Sequence, residues 1–191
     1  TIHANFEKEF GIPFEDFRAL DLAGTQNDSA EAIYNPEKYL LYCDPFMGQF
    51  DNRVKSGDAA GYADCAARLA VYADHAEYGY LFRSLRALCA FLSVKADLGI
   101  RTRAAYLSGD KKAAKALCTD YDAALERLDA FYTAYEQQWM HENKPQGFDV
   151  VDLRIGGQRQ RLLHCRDRLL AYAEGRLDRI EELEEPVLDC C

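Results

Sequence analysis

Residues 81–92, Leu-Phe-Arg-Ser-Leu-Arg-Ala-Leu-Cys-Ala-Phe-Leu, carry the clearest structural signal in this 191-residue sequence. The leucines at 81, 85, 88 and 92 recur at intervals of four, three and four residues, which is the repeat of one face of an α-helix. We expect this helix to begin near Gly79 and to continue to about Leu107. The tripeptide Ser108-Gly109-Asp110 then indicates that one helix ends and another begins.

The sequence on both sides of this stretch predicts further long helices. One begins at Asp58, which can act as its N-cap. The next is capped by Asp110 and ends near Asn143, because Pro145 disfavours the helical conformation in the residue before it. The last ends at Gly175, and its apolar face consists of Leu162, Cys165, Leu169 and Tyr172. The fold class is therefore mainly α, with an antiparallel bundle of about four long helices in residues 58–191.

Residues 148–155 depart from the helical pattern. Val151, Leu153 and Ile155 alternate with charged residues, and this period of two is typical of a strand. Gly156-Gly157 then closes the pattern. We expect one short extended segment at 148–155 within the otherwise helical chain.

Residues 1–57 differ in character from the bundle. Short helices are expected at the N-terminus, up to residue 22. Residues 23–57 contain many turn-forming dipeptides, such as Asn35-Pro36 and Asp44-Pro45, and are expected to be irregular. The whole chain, 1–191, is interpreted as a single helical domain that consists of this arm (1–57) and the bundle (58–191).

The charge of the chain argues against a nucleic-acid partner. The formal net charge is −9 and the isoelectric point is near 5.0, whereas nucleic-acid-binding proteins present a basic face to phosphate. Seven arginines do lie between Arg154 and Arg179, but six acidic residues follow between Asp178 and Asp189. We interpret these arginines as a solvated helix face that is paired with nearby carboxylates.

The cysteines and the hydropathy predict a cytoplasmic protein. Seven cysteines occur without a CxxC motif, and four of them fall within apolar helical patterns: Cys65, Cys89, Cys118 and Cys165. A free cysteine in such a position behaves as a small hydrophobic residue, which suits a reducing compartment. No apolar run approaches the roughly 18 residues that a membrane span requires, so no membrane partner is expected.

No standard constellation of reactive residues is present. The sequence lacks a Gly-rich phosphate loop, a GxSxG elbow and an HExxH pair. The acidic loop from Asp44 to Asp51 is interpreted as a turn, because Asp before Pro commonly starts one. The histidines are isolated from one another in sequence: His3, His75, His141 and His164. We therefore predict no catalytic residue, no metal site and no cofactor in this chain.

Aromatic residues provide the candidates for an interaction surface. Tyr132, Tyr135 and Trp139 recur at helical spacing, where aromatic residues form a core or an interface. The stretch 139–148 is expected to be an edge that another chain or domain covers. The predicted interface residues are Phe46, Phe50, Trp139 and Phe148.

Three segments together resemble the C-terminal region of bacterial family-20 glycoside hydrolases, the exo-β-N-acetylhexosaminidases. The first is Phe6-Glu-Lys-Glu-Phe-Gly-Ile-Pro-Phe-Glu-Asp-Phe-Arg-Ala-Leu-Asp21. The second is Asn35-Pro-Glu-Lys-Tyr-Leu-Leu-Tyr-Cys-Asp-Pro-Phe-Met-Gly-Gln-Phe-Asp51. The third is Trp139-Met-His-Glu-Asn-Lys-Pro-Gln-Gly-Phe-Asp-Val-Val-Asp-Leu-Arg-Ile-Gly-Gly157, followed by Asp178-Arg-Ile-Glu-Glu-Leu-Glu-Glu185.

The resemblance implies a non-catalytic role for this chain. In such enzymes a (β/α)₈ barrel precedes this region and supplies the catalytic Asp-Glu pair, which cannot be mapped onto any residues here. The resemblance implies an accessory helical domain that packs on the barrel and helps to hold a homodimer. The parent chain is then expected to be a β-N-acetylhexosaminidase, whereas this chain alone is expected to lack activity.

Two other functions remain open at the level of sequence. A free-standing helical enzyme or ligand-binding protein would place a pocket between its helices, and the clustered tyrosines motivate that alternative. An effector-binding domain of a transcription regulator would need a helix-turn-helix reader on a basic face, and the sequence contains neither.

Overall fold

The structure, a computed structural model, describes residues 2–25 and 35–187, and every regular element in these ranges is helical. This finding confirms the mainly α fold class. The α-helices in chain order are α1 (Ile2–Phe10), α2 (Phe14–Phe17), α3 (Leu22–Thr25), α4 (Pro36–Tyr42), α5 (Asp58–Leu69), α6 (Gly79–Lys95), α7 (Leu98–Leu107), α8 (Lys111–Glu142), α9 (Phe148–Ala173) and α10 (Glu181–Glu184).

The long helices α5, α6, α8 and α9 pack side by side as the predicted bundle. Helix α6 contacts both α5 and α8, and α8 in turn contacts α9 along the bundle. The short turn of residues 143–147 joins α8 to α9 as a helical hairpin. Helix α7 packs on α8, and α4 packs on α6. None of the described helices is both long enough and apolar enough to cross a lipid bilayer.

Aromatic and aliphatic side chains fill the interior between these helices. Tyr62, Phe82 and Tyr121 are fully buried, and burial of each such ring contributes about 2 kcal/mol to folding. The hydroxyl of Tyr121 lies 3.1 Å from Oγ1 of the buried Thr102, so this polar group has a hydrogen-bond partner inside the core.

The predicted bounds of α8 are confirmed. Asp110 caps the helix, because its carboxylate accepts a 2.9 Å hydrogen bond from the backbone N–H of Ala113. Gly109 precedes it with a φ of +70°, in the left-handed region that favours glycine at the end of a helix. The helix ends at Glu142, before Pro145, as expected.

The expected continuous helix from Gly79 to Leu107 is two helices instead. Helix α6 ends at Lys95 and α7 begins at Leu98. Just after this break, a Cβ on Gly99 would lie 3.0 Å from the carbonyl oxygen of Pro45. The tight contact with the Pro45 loop therefore lies beside the break between the two helices, and a long-range contact of this kind leaves no periodic signal in sequence.

The extended segment predicted at 148–155 is wrong, because these residues form the first two turns of α9. Val151 and Ile155 are four residues apart, and they begin a core-facing stripe that continues through the buried Leu162. Leu153 is 76% exposed and faces away from that stripe. A single exposed leucine between two inward-facing residues thus imitates the alternation of a strand.

The N-terminal arm is part of the same core as the bundle. Phe6 of α1 meets Phe17 of α2 edge to face, and Phe17 in turn contacts the buried Phe82 of α6 at a ring distance of 6.1 Å. The segment 23–57, predicted to be irregular, includes the short helix α4, in which Leu40 and Leu41 are buried. Residues 26–34 of that segment lie outside the described residues.

Candidate interaction surface

The four histidines lie apart from one another in the structure. His3 stacks on Phe14, and His141 packs against Tyr80 at a ring distance of 4.4 Å. Nδ1 of His75 accepts hydrogen bonds from the backbone N–H groups of Glu77 and Tyr78, at 3.3 and 3.2 Å. His75 therefore stabilises a turn of the backbone, and His3 and His141 take part in packing between aromatic rings. Within residues 2–25 and 35–187, no cluster of His, Cys, Asp and Glu could hold a metal ion.

The acidic loop after α4 is fixed by hydrogen bonds from its own backbone and from α9. Asp44 Oδ1 accepts from the N–H groups of Phe46 and Met47 at 2.9 and 3.0 Å. Its other oxygen, Oδ2, lies 2.6 Å from Nε of Arg161. Burial raises the pKa of Asp44, but these hydrogen bonds outweigh burial and hold the pKa below its usual value. The prediction of a turn at Asp44 agrees with this geometry.

A buried lysine holds the same loop from the side of α6. Nζ of Lys95 donates to the carbonyl oxygens of Leu40 and Cys43, at 3.2 and 2.6 Å. The side chain is only 3% exposed, and burial lowers the pKa of its ammonium group. Lys95 therefore caps the last carbonyl groups of α4 and positions the loop. Its ammonium group serves the structure of the chain rather than a bound partner.

The four predicted interface residues have different environments. Phe46 is 0% exposed, with the Arg161 guanidinium 5.5 Å from its ring centre. Phe148 is also buried, at 4% exposure. Phe50 is partly exposed and contacts Tyr39, and Trp139 is partly exposed at the end of α8. Only Phe50 and Trp139 among these four leave ring surface for a partner, and their interface role stays a prediction.

Trp139 and Phe148 build the turn between α8 and α9. Their rings are 5.8 Å apart, and Nε1 of Trp139 donates to the carbonyl oxygen of Lys144 at 2.9 Å. Gly147 has a φ of +97°, and a Cβ there would lie 3.3 Å from the Trp139 ring. The aromatic cluster thus fixes how the first turns of α9 are presented at the surface.

Beside this turn, an apolar groove runs between α4, α6, α8 and α9. It consists of two adjoining hollows of about 380 and 270 Å³, which share Leu88, Phe131 and Tyr135 as a common wall. The larger hollow has apolar walls from α4 and α9, including Leu41 and Val151. Hollows of this size suit apolar side chains or a small ligand. A pocket between helices was part of the alternative function, but its residues were not predicted, because the walls come from four helices that are distant in sequence.

Polar groups surround the mouth of the larger hollow. Lys38 of α4 and Arg154 of α9 are exposed there, and the ring of Tyr42 lies between apolar walls. Partial burial raises the pKa of the Tyr42 hydroxyl, and the charge of Arg154 partly opposes that shift. The rim of the groove thus carries two cations, Lys38 and Arg154, and one carboxylate, Glu37, although the chain as a whole carries a net charge of −9.

The outer face of α9 next to the groove carries no charged residue between Asp149 and Asp167, which lie at its two ends. Leu153 is 76% exposed and Val150 is 45% exposed. At 100° per residue, the positions that continue this face are Gly156, Gly157, Gln160 and His164, all of them exposed. No atom beyond the helix backbone lies within 4 Å of the place that a Cβ on Gly156 or Gly157 would take. Charged residues are the usual occupants of a solvated helix face, so this neutral face is an unusual surface.

Comparison with known proteins assigns most of the chain to a family. Residues 13–190 match the family model described as Glycoside Hydrolase 20C C-terminal domain. The match includes every element from α2 to α10, and therefore the groove and the neutral face of α9. No curated protein matches the chain.

Proposed function

The chain belongs to the Glycoside Hydrolase 20C C-terminal domain family, and from that premise we propose that it is a non-catalytic accessory domain of a β-N-acetylhexosaminidase. In this proposal the domain packs on a (β/α)₈ catalytic barrel of the parent chain and contributes to a homodimer. The parent enzyme, not this domain, carries out hydrolysis. The cytoplasm is the proposed location, on the basis of the cysteine usage alone.

The observation that carries the proposal is the extent of the family match. It covers residues 13–190 and so includes the whole bundle. The dispersal of reactive groups supports it further. Asp44 is engaged by Arg161, Lys95 by backbone carbonyls, and the histidines lie apart, so the side chains that could perform chemistry serve the fold.

An activity assay tests the non-catalytic part of the proposal. We expect the purified 191-residue chain to release no nitrophenol from nitrophenyl N-acetylglucosaminide, whereas the parent enzyme does so. Steady turnover by the isolated chain, proportional to its concentration and retained through a second purification, would contradict the proposal.

The neutral face of α9 supports a role in association. An exposed leucine beside two exposed glycines forms a projection next to a shallow notch, and a helix with this surface can approach another backbone closely. A symmetric dimer places the same patch on both subunits, so a patch without net charge avoids repulsion between copies. We propose this face as the homodimer contact.

A free-standing ligand-binding protein is the second candidate function, and the groove is the observation that favours it. Apolar walls with a few polar groups at the mouth are typical of small-molecule sites. That function requires a ligand to bind the isolated chain. We expect a thermal-shift screen of small organic acids to leave the melting temperature unchanged, and a saturable rise would favour the alternative.

A further inference from the structure

The arginines of the C-terminal half are paired in a way that singles out one residue. Between Arg154 and Arg179 there are seven arginines, and six have a carboxylate within 4.0 Å: Arg159, Arg161, Arg166, Arg168, Arg176 and Arg179. Arg154 is the exception among the described residues, although it lies on the same helix as four of the others. Its guanidinium belongs to the rim of the larger hollow.

A second cation stands at the same rim. Lys38 projects from α4, and among the described residues it too has no carboxylate within ion-pair distance. Lys38 and Arg154 therefore line one hollow from opposite helices, where they outnumber the single carboxylate of Glu37. A carboxylate of a partner would complement both positive charges.

The shape of the groove defines the rest of the partner. Its two hollows share the wall formed by Leu88, Phe131 and Tyr135, so an occupant can place one apolar side chain in each. The smaller hollow is lined mainly by Leu20, Leu81 and Leu85, and none of the described residues that line it is charged. An occupant therefore meets an apolar and neutral-polar lining at one end, and at the other end two cations and the single carboxylate of Glu37.

We propose that this groove is the seat on which the catalytic domain of the parent chain docks, through a segment with two apolar side chains and an adjacent carboxylate. The inference rests on the proposed function, because it names the surface by which the accessory domain holds the barrel. The carboxylate binds between Lys38 and Arg154, and the apolar side chains fill the hollows.

The test uses the parent enzyme with a protease recognition sequence placed immediately before residue 1 of this domain. After cleavage, size-exclusion chromatography over a dilution series gives the concentration at which the two pieces separate. We expect the Lys38→Glu/Arg154→Glu variant to separate at a concentration at least about tenfold higher than the unmodified pieces, since like charges at an interface repel. Its association should also depend less on salt.

Lys112→Glu is the matched control, because Lys112 is an exposed lysine at the start of α8 and lines neither hollow. The control should behave as the unmodified enzyme. If the unmodified pieces separate at once, the proposed function fails. If they stay together but the Lys38→Glu/Arg154→Glu variant associates equally well, the accessory role stands and the groove is not the docking seat.

A photocrosslinking amino acid in place of Tyr42 identifies the occupant directly. We expect it to capture a peptide of the catalytic domain that contains an acidic residue and two apolar residues. Capture of this domain's own residues alone, or of the same domain in a second copy, would overturn the inference. Circular dichroism of each variant confirms that the helices remain folded.

Discussion

At the scale of single residues, Asp44 makes the most specific prediction. Its carboxylate joins the loop after α4 to α9 through Arg161, and its side chain is only 20% exposed. Asp44→Asn keeps the size but removes the charge, so Arg161 loses one of its two ionic partners, the other being Glu182. We expect the free energy of unfolding to fall by about 2 to 3 kcal/mol at neutral pH, in urea denaturation.

The pH dependence of that difference has a defined sign. The pKa of Asp44 is lower in the folded state than in the unfolded state, so its contribution to stability is present above the unfolded pKa of about 3.9. The contribution is lost as the pH falls through the lower, folded pKa. The wild type and Asp44→Asn should therefore converge in stability as the pH is lowered from the unfolded pKa through the folded one. A difference that stays constant down to acid pH would contradict this account.

Asp129→Asn provides the control for Asp44. Its carboxylate pairs with Arg159 at 2.7 Å, but the two side chains are 52% and 48% exposed. Exposed ion pairs are screened by solvent, so this substitution should cost less than about 1 kcal/mol. The contrast separates the effect of a half-buried pair from the general effect of one lost charge.

At the scale of the element, two glycines of α9 lead to opposite predictions: Gly147 precedes the first turn of the helix, and Gly157 lies in its middle. Gly147 has a φ of +97° and packs on Trp139, so Gly147→Ala strains the backbone and crowds the ring. We expect it to destabilise the fold by about 1 to 2 kcal/mol. Thermal unfolding followed by circular dichroism measures the effect, and an unchanged melting temperature would show that the turn tolerates a side chain.

Gly157 lies inside α9, where glycine is about 1 kcal/mol less favourable than alanine. A Cβ at this position meets no neighbouring atom within 4 Å. Gly157→Ala should therefore raise the free energy of unfolding of the isolated chain by about 0.5 to 1 kcal/mol in urea. The same substitution should weaken self-association if the glycine notch is the dimer contact. Greater stability with unchanged association would leave the notch without a role.

The elements also show what sequence could and could not predict. The cap at Asp110 and the end of α8 before Pro145 were predictable, because both depend on residues within one turn of each other. The segment 148–155 was not, since an alternating pattern over a few residues also fits a helix with one exposed leucine. The break between α6 and α7 escaped prediction because it accompanies a contact with a distant loop.

At the scale of the whole molecule, the sequence could not show which arginine at the rim of the groove lacks a carboxylate partner. The arginine-rich stretch was interpreted as paired with carboxylates, and for six of its seven members the structure agrees. The exception could be recognised only when the partners were located in space. The family resemblance, in contrast, was accessible from local motifs, and the match over residues 13–190 confirms it.

The last prediction concerns the proposed homodimer. Leu153→Asp places a charge at the centre of the neutral face of α9, where it would lie close to its own symmetry mate in a twofold contact. Val71→Asp is the matched control, because Val71 is an apolar residue of similar exposure, 72% against 76%, in a different element. We expect sedimentation velocity to show the parent enzyme as a dimer, Leu153→Asp shifted toward monomer and Val71→Asp unchanged. A stable dimer interface buries its centre, and an unpaired charge buried there is strongly destabilising. A fully dimeric Leu153→Asp enzyme would therefore place the dimer contact elsewhere.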